Sequence, residues 1–204
     1  MVLKQRKNTR KNLVICICGL TASGKSTVAR KVAEKYNMRL YSGGDALKAL
    51  AQEAGYTPTD RGWWESKEGL NFLNRRLNDP DFDKKVDTKL LEVAKEGNVV
   101  LDSWTMPWLL KGGFKVWIDA SKQTRIKRLA KRDHISIKEA SQVLEEKEEK
   151  TKTIYKRLYG FNLGEDFSPF DLILDTDKLD ADEVFQTVSL VIDHMLLRKT
   201  QPNQ

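Results

Sequence analysis

One short segment near the N-terminus constrains the fold more than any other part of the chain. Residues 19–26 read Gly-Leu-Thr-Ala-Ser-Gly-Lys-Ser and match the pattern G-x-x-x-x-G-K-[ST]. The apolar residues 13–18 precede this pattern, and a helical stretch with Val28, Val32 and Tyr36 on one face follows it. A buried strand, a glycine-rich turn and a helix in this order open a βαβ unit. The segment therefore predicts a phosphate-binding loop that connects the first strand to the first helix.

The residue types of this phosphate-binding loop suit a nucleoside triphosphate. Glycine lets backbone N–H groups turn toward an anion, and the N-terminus of the helix adds its unpaired amides and its positive dipole end. We expect Lys25 to reach the β and γ phosphates and Ser26 to place its hydroxyl on Mg²⁺. The predicted nucleotide-binding residues are Gly19, Thr21, Ala22, Ser23, Gly24, Lys25, Ser26 and Thr27. A glycine-rich turn without function is the alternative, and it fits poorly because both flanking elements have the expected pattern.

A carboxylate at the end of a second apolar run narrows the chemistry. Asp102 follows Val99, Val100 and Leu101, and the end of such a strand usually lies beside the phosphate-binding loop. We therefore predict that Asp102 helps to hold Mg²⁺, with a helix or turn cap as the alternative role. The N-K-x-D signature of guanine-nucleotide binding and the long helical insertions of motor proteins are absent from the sequence. These features favour a small phosphoryl-transfer enzyme.

Short apolar runs alternate with helical patterns along the rest of the chain. Strands are predicted at 12–18, 38–42, 98–102, 114–119 and 170–175, and helices from Lys25, over 45–55, 79–97, 121–133 and 136–158, and after Asp180. No element is assigned to residues 56–78. This alternation favours an α/β fold in which a five-stranded parallel sheet lies between helices. We predict one domain over residues 13–198, two helical excursions at about 43–96 and 133–160, and tails at 1–12 and 199–204.

Composition excludes several classes of protein. The longest apolar run, residues 13–20, has eight residues, whereas about 20 are needed to cross a bilayer. That run ends in the phosphate-binding loop rather than at a cleavage site, which argues against a signal peptide. The only two cysteines, Cys16 and Cys18, stand too close along one strand to bridge comfortably, so we expect a reducing cytoplasm. Membrane association is not expected, and the sequence leaves the oligomeric state open.

Positive charge is concentrated in two places. Residues 1–12 carry five basic residues and no acid, while residues 13–204 hold 31 bases and 29 acids. This tail fits a solvated terminus, and binding of RNA through it is the alternative. The second place is the helix after the fourth predicted strand, where Arg125, Arg128 and Arg132 share one face. We predict that Arg128 and Arg132 close over the triphosphate as catalytic lid residues and that Arg125 belongs to a solvated face.

Seven segments of the chain carry a resemblance to a known family. They are the phosphate-binding loop, the turn 42–45, residues 83–87, 95–101, 128–132 and 155–160, and the segment 170–176. Together they resemble the small archaeal-type cytidylate kinases, in the nucleoside monophosphate kinase group of P-loop proteins, from about residue 13 to 195. The resemblance implies an acceptor-binding excursion at about 43–96 and a lid at about 133–160. It also implies ATP with Mg²⁺ as the donor and CMP or dCMP as the small-molecule acceptor.

The residues predicted to bind the acceptor, and those of the predicted lid, depart from the pattern of this family. Lys48, Trp104, Lys147 and Ile154 stand at positions where the family has arginines. A lysine keeps the charge but not the planar, two-pronged grip of an arginine on phosphate. The predicted acceptor-binding residues are Asp45, Lys48, Asp102 and Trp104, and the indole of Trp104 is expected to stack on a base.

Two alternatives to a CMP kinase fit the same residues. The lost arginines and added tryptophans also fit a kinase for another acceptor, including an RNA end. The basic tail also fits a nucleotide-dependent ATPase that associates with RNA or the ribosome. Acceptor-dependent release of ADP separates the two kinases from this ATPase.

Overall fold

Five parallel strands form the centre of the computed structural model, which describes residues 13–59 and 62–198. The strands are β1 (Val14–Cys18), β2 (Arg39–Ser42), β3 (Val99–Asp102), β4 (Phe114–Asp119) and β5 (Leu172–Asp175), in the spatial order β2-β3-β1-β4-β5. Every neighbouring pair is parallel. The predicted α/β fold with a five-stranded parallel sheet is therefore confirmed. The predicted tails at 1–12 and 199–204 lie outside the described residues.

Helices connect these strands and cover both faces of the sheet. They are α1 (Lys25–Tyr36), α2 (Gly43–Glu53), α3 (Lys67–Asn78), α4 (Asp81–Glu96), α5 (Met106–Leu109), α6 (Lys122–Asp133), α7 (Ile137–Tyr159) and α8 (Ala181–Arg198). A 3₁₀ turn, Trp63–Glu65, lies between α2 and α3. The sequence predicted neither this turn nor α3 and the short α5. Across residues 13–59 and 62–198, no helix is both long and apolar enough to span a membrane.

Alternate residues of the central strand β1 face two different hydrophobic layers. Ile15 and Ile17 pack against apolar residues of α1 and α8, while Cys16 and Cys18 face the opposite side of the sheet. All four side chains are fully buried. Burial on both faces is typical of a parallel sheet, and it explains why residues 13–18 are continuously apolar.

The register of the sheet brings three strand ends to one edge. Ile17 of β1 and Ser42 of β2 both lie opposite Asp102 of β3. The phosphate-binding loop follows β1 at this edge, and α2 begins directly after Ser42. Ligands of open parallel sheets bind outside the carboxyl ends of the strands. The fold therefore gathers predicted site residues from three separate segments at the edge where a ligand is expected.

The two predicted excursions lie beside this edge. The helices α2, α3 and α4 occupy the predicted acceptor-binding excursion, and the predicted lid consists of the end of α6 and the 23-residue α7. α7 packs against both α6 and α3. These contacts join the lid to the acceptor-binding excursion, and the boundaries and roles of both stay predictions.

Candidate functional site

The phosphate-binding loop requires glycine at two positions for different reasons. At Gly19 a side chain has no room, because an added Cβ would lie 2.4 Å from the carbonyl oxygen of Ile118 and 2.5 Å from Oγ of Ser23. At Gly24 the space is open, but φ is +101°, a conformation that L side chains rarely adopt. Gly24 is also the N-cap of α1, so the loop turns directly into a helix N-terminus. Such a terminus presents backbone N–H groups to an anion.

Two hydroxyls inside this loop have no partner among the residues that the structure describes. Within the described part of the chain, the hydroxyls of Thr21 and Ser23 are buried and have no hydrogen-bond partner. A buried polar group without a partner is costly unless a ligand or a water molecule supplies one. Ser26 and Thr27, in the first turn of α1, are exposed. The loop therefore fits the phosphate groups of a nucleotide.

Lys25 lies at the centre of the predicted donor site. Its Nζ is 3.9 Å from Oδ1 of Asp102 and 5.5 Å from the ring centroid of Trp104. The Asp102 carboxylate is buried at the end of β3, whereas Ser26 is exposed at the start of α1. A hydroxyl and a carboxylate are oxygen ligands of the kind that Mg²⁺ prefers, and Mg²⁺ commonly completes its coordination with substrate phosphates and water. The residues present therefore fit this metal.

A cavity of about 370 Å³ extends from the phosphate-binding loop between α2, α3, α4 and α7. The predicted site residues that line it are Thr21, Ala22, Lys25, Ser26, Asp45, Lys48, Asp102, Trp104 and Arg132. The other predicted residues, which stand in the loop or behind it, are Gly19, Ser23, Gly24, Thr27 and Arg128. Predicted donor residues and predicted acceptor residues thus meet at one cavity, while their individual roles stay predictions.

The two predicted lid arginines have different surroundings. Arg128 donates to the carbonyl oxygens of Ser23 at 3.0 Å and Thr176 at 2.8 Å, so its guanidinium ties the phosphate-binding loop to the segment after β5. Arg132 lines the cavity and pairs with Glu65 at 2.9 Å. Of the two, Arg132 is the arginine whose charge lies at the cavity wall.

The prediction that Arg125 lies on a solvated helix face is wrong. Arg125 is 5% exposed, and its guanidinium pairs with the Glu148 carboxylate of α7. It also donates to the carbonyl oxygens of Ala120 at 3.1 Å and Thr21 at 3.2 Å. Glu148 in turn accepts from the N–H of Thr21 at 3.1 Å. This face is buried because α7 folds back over α6, which the spacing of arginines within one helix does not reveal.

A carboxylate that the sequence did not reveal pairs with two cations of the predicted lid. Glu65 accepts from Lys147 at 2.6 Å and pairs with Arg132 at 2.9 Å, and all three side chains line the cavity. Burial opposes ionisation of Glu65, but the positive charges of Lys147 and Arg132 outweigh it and lower the pKa of this carboxyl. Ile154, in contrast, is fully buried in the hydrophobic layer around Cys18. Of these two positions on α7, only Lys147 carries a positive charge, and Glu65 is its partner.

The side of the cavity formed by α3 and α4 is a buried polar wall. Arg76 and Asp83 form a two-pronged ion pair, with distances of 2.5 and 3.0 Å, and both residues are buried. Asp87, one turn further along α4, accepts from the hydroxyls of Thr105 at 2.5 Å and Tyr159 at 2.6 Å. Burial raises the pKa of Asp87 to about 6. The sequence signal for this wall is the four-residue spacing of Asp83 and Asp87, which places both carboxylates on one face of α4.

Replacing Asp87 with asparagine is expected to remove the contribution of this carboxyl to the change of the free energy of unfolding with pH. The pKa of this carboxyl is about 6 in the folded protein, against about 4 in an unfolded chain, so the folded state binds more protons between these values. The free energy of unfolding therefore falls by about 2 kcal/mol from this group as the pH rises from about 4 to about 7. Glu65 has the opposite trend, but it is present in both proteins and cancels in their difference.

Urea unfolding of both proteins at several pH values across this range measures the effect of Asp87. The stability of the variant relative to the unmodified protein should rise by about 2 kcal/mol between the two ends of the range. A difference that stays constant with pH would show that this carboxyl has an ordinary pKa.

Most of this chain is similar to proteins of one known family. Residues 14–178 match the model of the cytidylate kinase-like family. A cytidylate kinase from Pyrococcus horikoshii is 34% identical over 184 residues, which cover 90% of each chain. A cytidylate kinase from Methanocaldococcus jannaschii is 34% identical over 188 residues, which cover 90% of this chain and 99% of the relative.

Two solved structures resemble this chain in fold. A shikimate kinase from Bacteroides thetaiotaomicron has a TM-score of 0.55 at 16% identity, with 89% of this chain and 98% of that chain covered. A shikimate kinase from Acinetobacter baumannii, solved in complex with shikimate, has a TM-score of 0.54 at 17% identity, with 94% and 97% covered. At this level of identity the likeness concerns the fold alone.

Proposed function

The chain belongs to the cytidylate kinase-like family, and we propose that it transfers the γ-phosphoryl group of ATP to CMP or dCMP, with release of ADP. The observation that carries this proposal is one cavity lined both by the phosphate-binding loop and by the polar wall on α3 and α4. Direct transfer between two nucleotides needs a donor surface and an acceptor surface side by side, so that the reacting atoms are held in contact.

The donor half of the cavity is proposed to bind ATP through the phosphate-binding loop. The N–H groups at the start of α1 supply donors to its phosphates, and the unpaired hydroxyl of Thr21 belongs to a residue that lines the same cavity. Lys25 places its ammonium beside the transferring phosphoryl group. Ser26 and Asp102 are the residues that would hold Mg²⁺, which when bound offsets charge on the phosphate oxygens.

The acceptor half is proposed to hold the monophosphate among cations and the base against the polar wall. Lys48, Arg132 and Lys147 line the cavity and are the candidate cations for the acceptor phosphate, which would share Arg132 and Lys147 with Glu65. Asp45, in the first turn of α2, stands on the same side and is a candidate contact with the acceptor. The polar wall offers hydrogen-bond donors and acceptors in a buried setting, where a mismatched base leaves groups unpaired and is therefore rejected.

The reaction requires no side chain to take up a proton. A phosphate monoester is largely dianionic at neutral pH, so an oxygen of the CMP phosphate attacks the γ-phosphorus while the bond to the ADP leaving group breaks. The protein contributes position and charge. The pairs of Glu65 with Arg132 and Lys147 fix the lid beside the cavity, and excluding water there protects the phosphoryl group from hydrolysis.

Release of ADP in the presence of CMP, dCMP, UMP, AMP, GMP or no acceptor tests this function. CMP or dCMP should give the fastest release, at least about tenfold above the purine monophosphates, because a buried polar wall discriminates between base edges. Equal rates in all six reactions would exclude a cytidylate kinase. The Lys25→Ala variant provides the background rate from contaminating phosphatases.

Nothing in the comparisons favours the two alternative functions. An RNA oligonucleotide with a free 5′-hydroxyl, added as a seventh reaction, tests the RNA-end kinase. ADP release that RNA stimulates without becoming phosphorylated, and that depends on residues 1–11, would identify the RNA-associated ATPase instead.

A further inference from the structure

The indole of Trp104 makes its polar contacts with the phosphate-binding loop. The indole N–H donates to the carbonyl oxygen of Gly19, the first residue of that loop. The Lys25 ammonium lies 5.5 Å from the centroid of the indole ring. On its other flank the ring packs edge-to-face on Tyr155, with centroids 6.5 Å apart and planes at 81°. The indole is therefore fixed at three points, two of which belong to the donor site.

The contact of the Lys25 ammonium with Asp102 does not fix its position. Its distance of 3.9 Å from Oδ1 of Asp102 is too long for a hydrogen bond, so this carboxylate attracts the ammonium without fixing its position. A free lysine side chain has many rotamers, and selecting one of them on binding a ligand costs affinity. An aromatic face attracts a cation and excludes water from one side of it, which limits the rotamers that Lys25 adopts.

The position of Trp104 also bears on what the indole can bind. While the Lys25 ammonium lies over the ring, that part of the ring is not open for stacking on an acceptor base. The acceptor phosphate has other cations in the cavity, namely Lys48, Arg132 and Lys147. Trp104 thus lines the shared cavity, but its contacts serve the donor side.

We propose that Trp104 is a positioning residue for the donor nucleotide. Its ring holds Lys25 in the orientation that meets the triphosphate, and its N–H fixes the first turn of the phosphate-binding loop through Gly19. Both elements are then arranged before the nucleotide arrives, which raises affinity by lowering the cost of ordering them. This inference rests on the donor half of the proposed function and not on the identity of the acceptor.

Calorimetric binding of ADP, without metal, separates this role from a role toward the acceptor. Trp104→Leu removes the ring and the N–H but keeps an apolar side chain, and we expect its Kd for ADP to rise about tenfold. Trp104→Phe keeps an aromatic face, so its Kd should rise only about two- to fourfold. The Kd for CMP, measured separately with the same proteins, should change by less than about twofold. Trp108→Phe is the matched control, because Trp108 stacks on Phe161 outside the cavity lining and should leave both affinities unchanged.

Three results would overturn the proposal: unchanged ADP binding in Trp104→Leu, a loss of CMP affinity with ADP affinity intact, or an equal loss of ADP affinity in Trp104→Leu and Trp108→Phe. The second would return Trp104 to the acceptor site, and the third would assign the effect to general loss of packing. If the unmodified protein fails to phosphorylate CMP, the proposed function fails, yet the ADP measurements still decide the role of Trp104.

Discussion

Replacing Lys25 with alanine is expected to lower kcat for phosphoryl transfer about 1000-fold while the protein stays folded. The ammonium acts on charge that develops during transfer, and losing one prearranged donor to such charge commonly lowers kcat by about 10²- to 10³-fold. Its contacts within the protein are weak, since the Asp102 carboxylate is 3.9 Å away. Folding stability should therefore change little. Initial rates of ADP release with ATP and CMP measure the loss.

Lys89→Ala is the matched control for this substitution. Lys89 is an exposed lysine of α4 that pairs with Glu92 at 3.4 Å, and its removal should leave kcat within about twofold of the unmodified value. Far-UV circular dichroism and Tm should be the same for both variants. A Lys25→Ala protein that folds normally and keeps its kcat would show that the phosphate-binding loop takes no part in the transfer.

The sheet and the phosphate-binding loop were predictable because their determinants are local. Residues 15–18 are buried with alternate side chains on both faces of the sheet, so this stretch is apolar without interruption, and the glycine pattern follows it directly. The five predicted strands begin and end within two residues of the observed strands. The same local rules placed Asp102 at the carboxyl edge of β3, where it meets the end of β1.

The side of the cavity that faces the phosphate-binding loop, which includes residues of α3 and of the turn Trp63–Glu65, was not predictable by these rules. Glu65 and Arg76 belong to the segment 56–78, where Glu65 lies in the turn before α3 and Arg76 places a charge on the buried face of α3. Trp104 stood at the expected place, but its partners Gly19 and Lys25 lie about 80 residues away in the chain. The partner of a side chain across the fold is a property of tertiary packing, which spacing along one element does not contain.

The partner of Arg125 could not be predicted from the spacing of arginines along α6. Because its pair with Glu148 is buried, breaking this pair should have a large effect on folding stability. Replacing Glu148 with alanine should lower the free energy of unfolding by about 4 kcal/mol, because Arg125 would keep a buried charge without its partner. The N–H of Thr21 would lose its acceptor in the same variant. Urea unfolding measures this loss. The double variant Arg125→Met with Glu148→Leu should recover most of the stability, since apolar residues of similar volume commonly replace a buried ion pair without cost.

Glu145→Ala is the matched control, because the pair of Glu145 with Lys122 joins the same two helices on their exposed side. Both of these side chains are about half exposed, so the pair should contribute less than about 1 kcal/mol. Equal losses in Glu145→Ala and Glu148→Ala would show that the Arg125 pair is no more than a surface contact.

The double variant Arg125→Met with Glu148→Leu separates folding from ligand binding. Its folding stability returns, but the Thr21 N–H still lacks an acceptor. Its Kd for ADP should therefore stay above that of the unmodified protein, which would show that the buried pair shapes the phosphate-binding loop as well as holding α7 on α6.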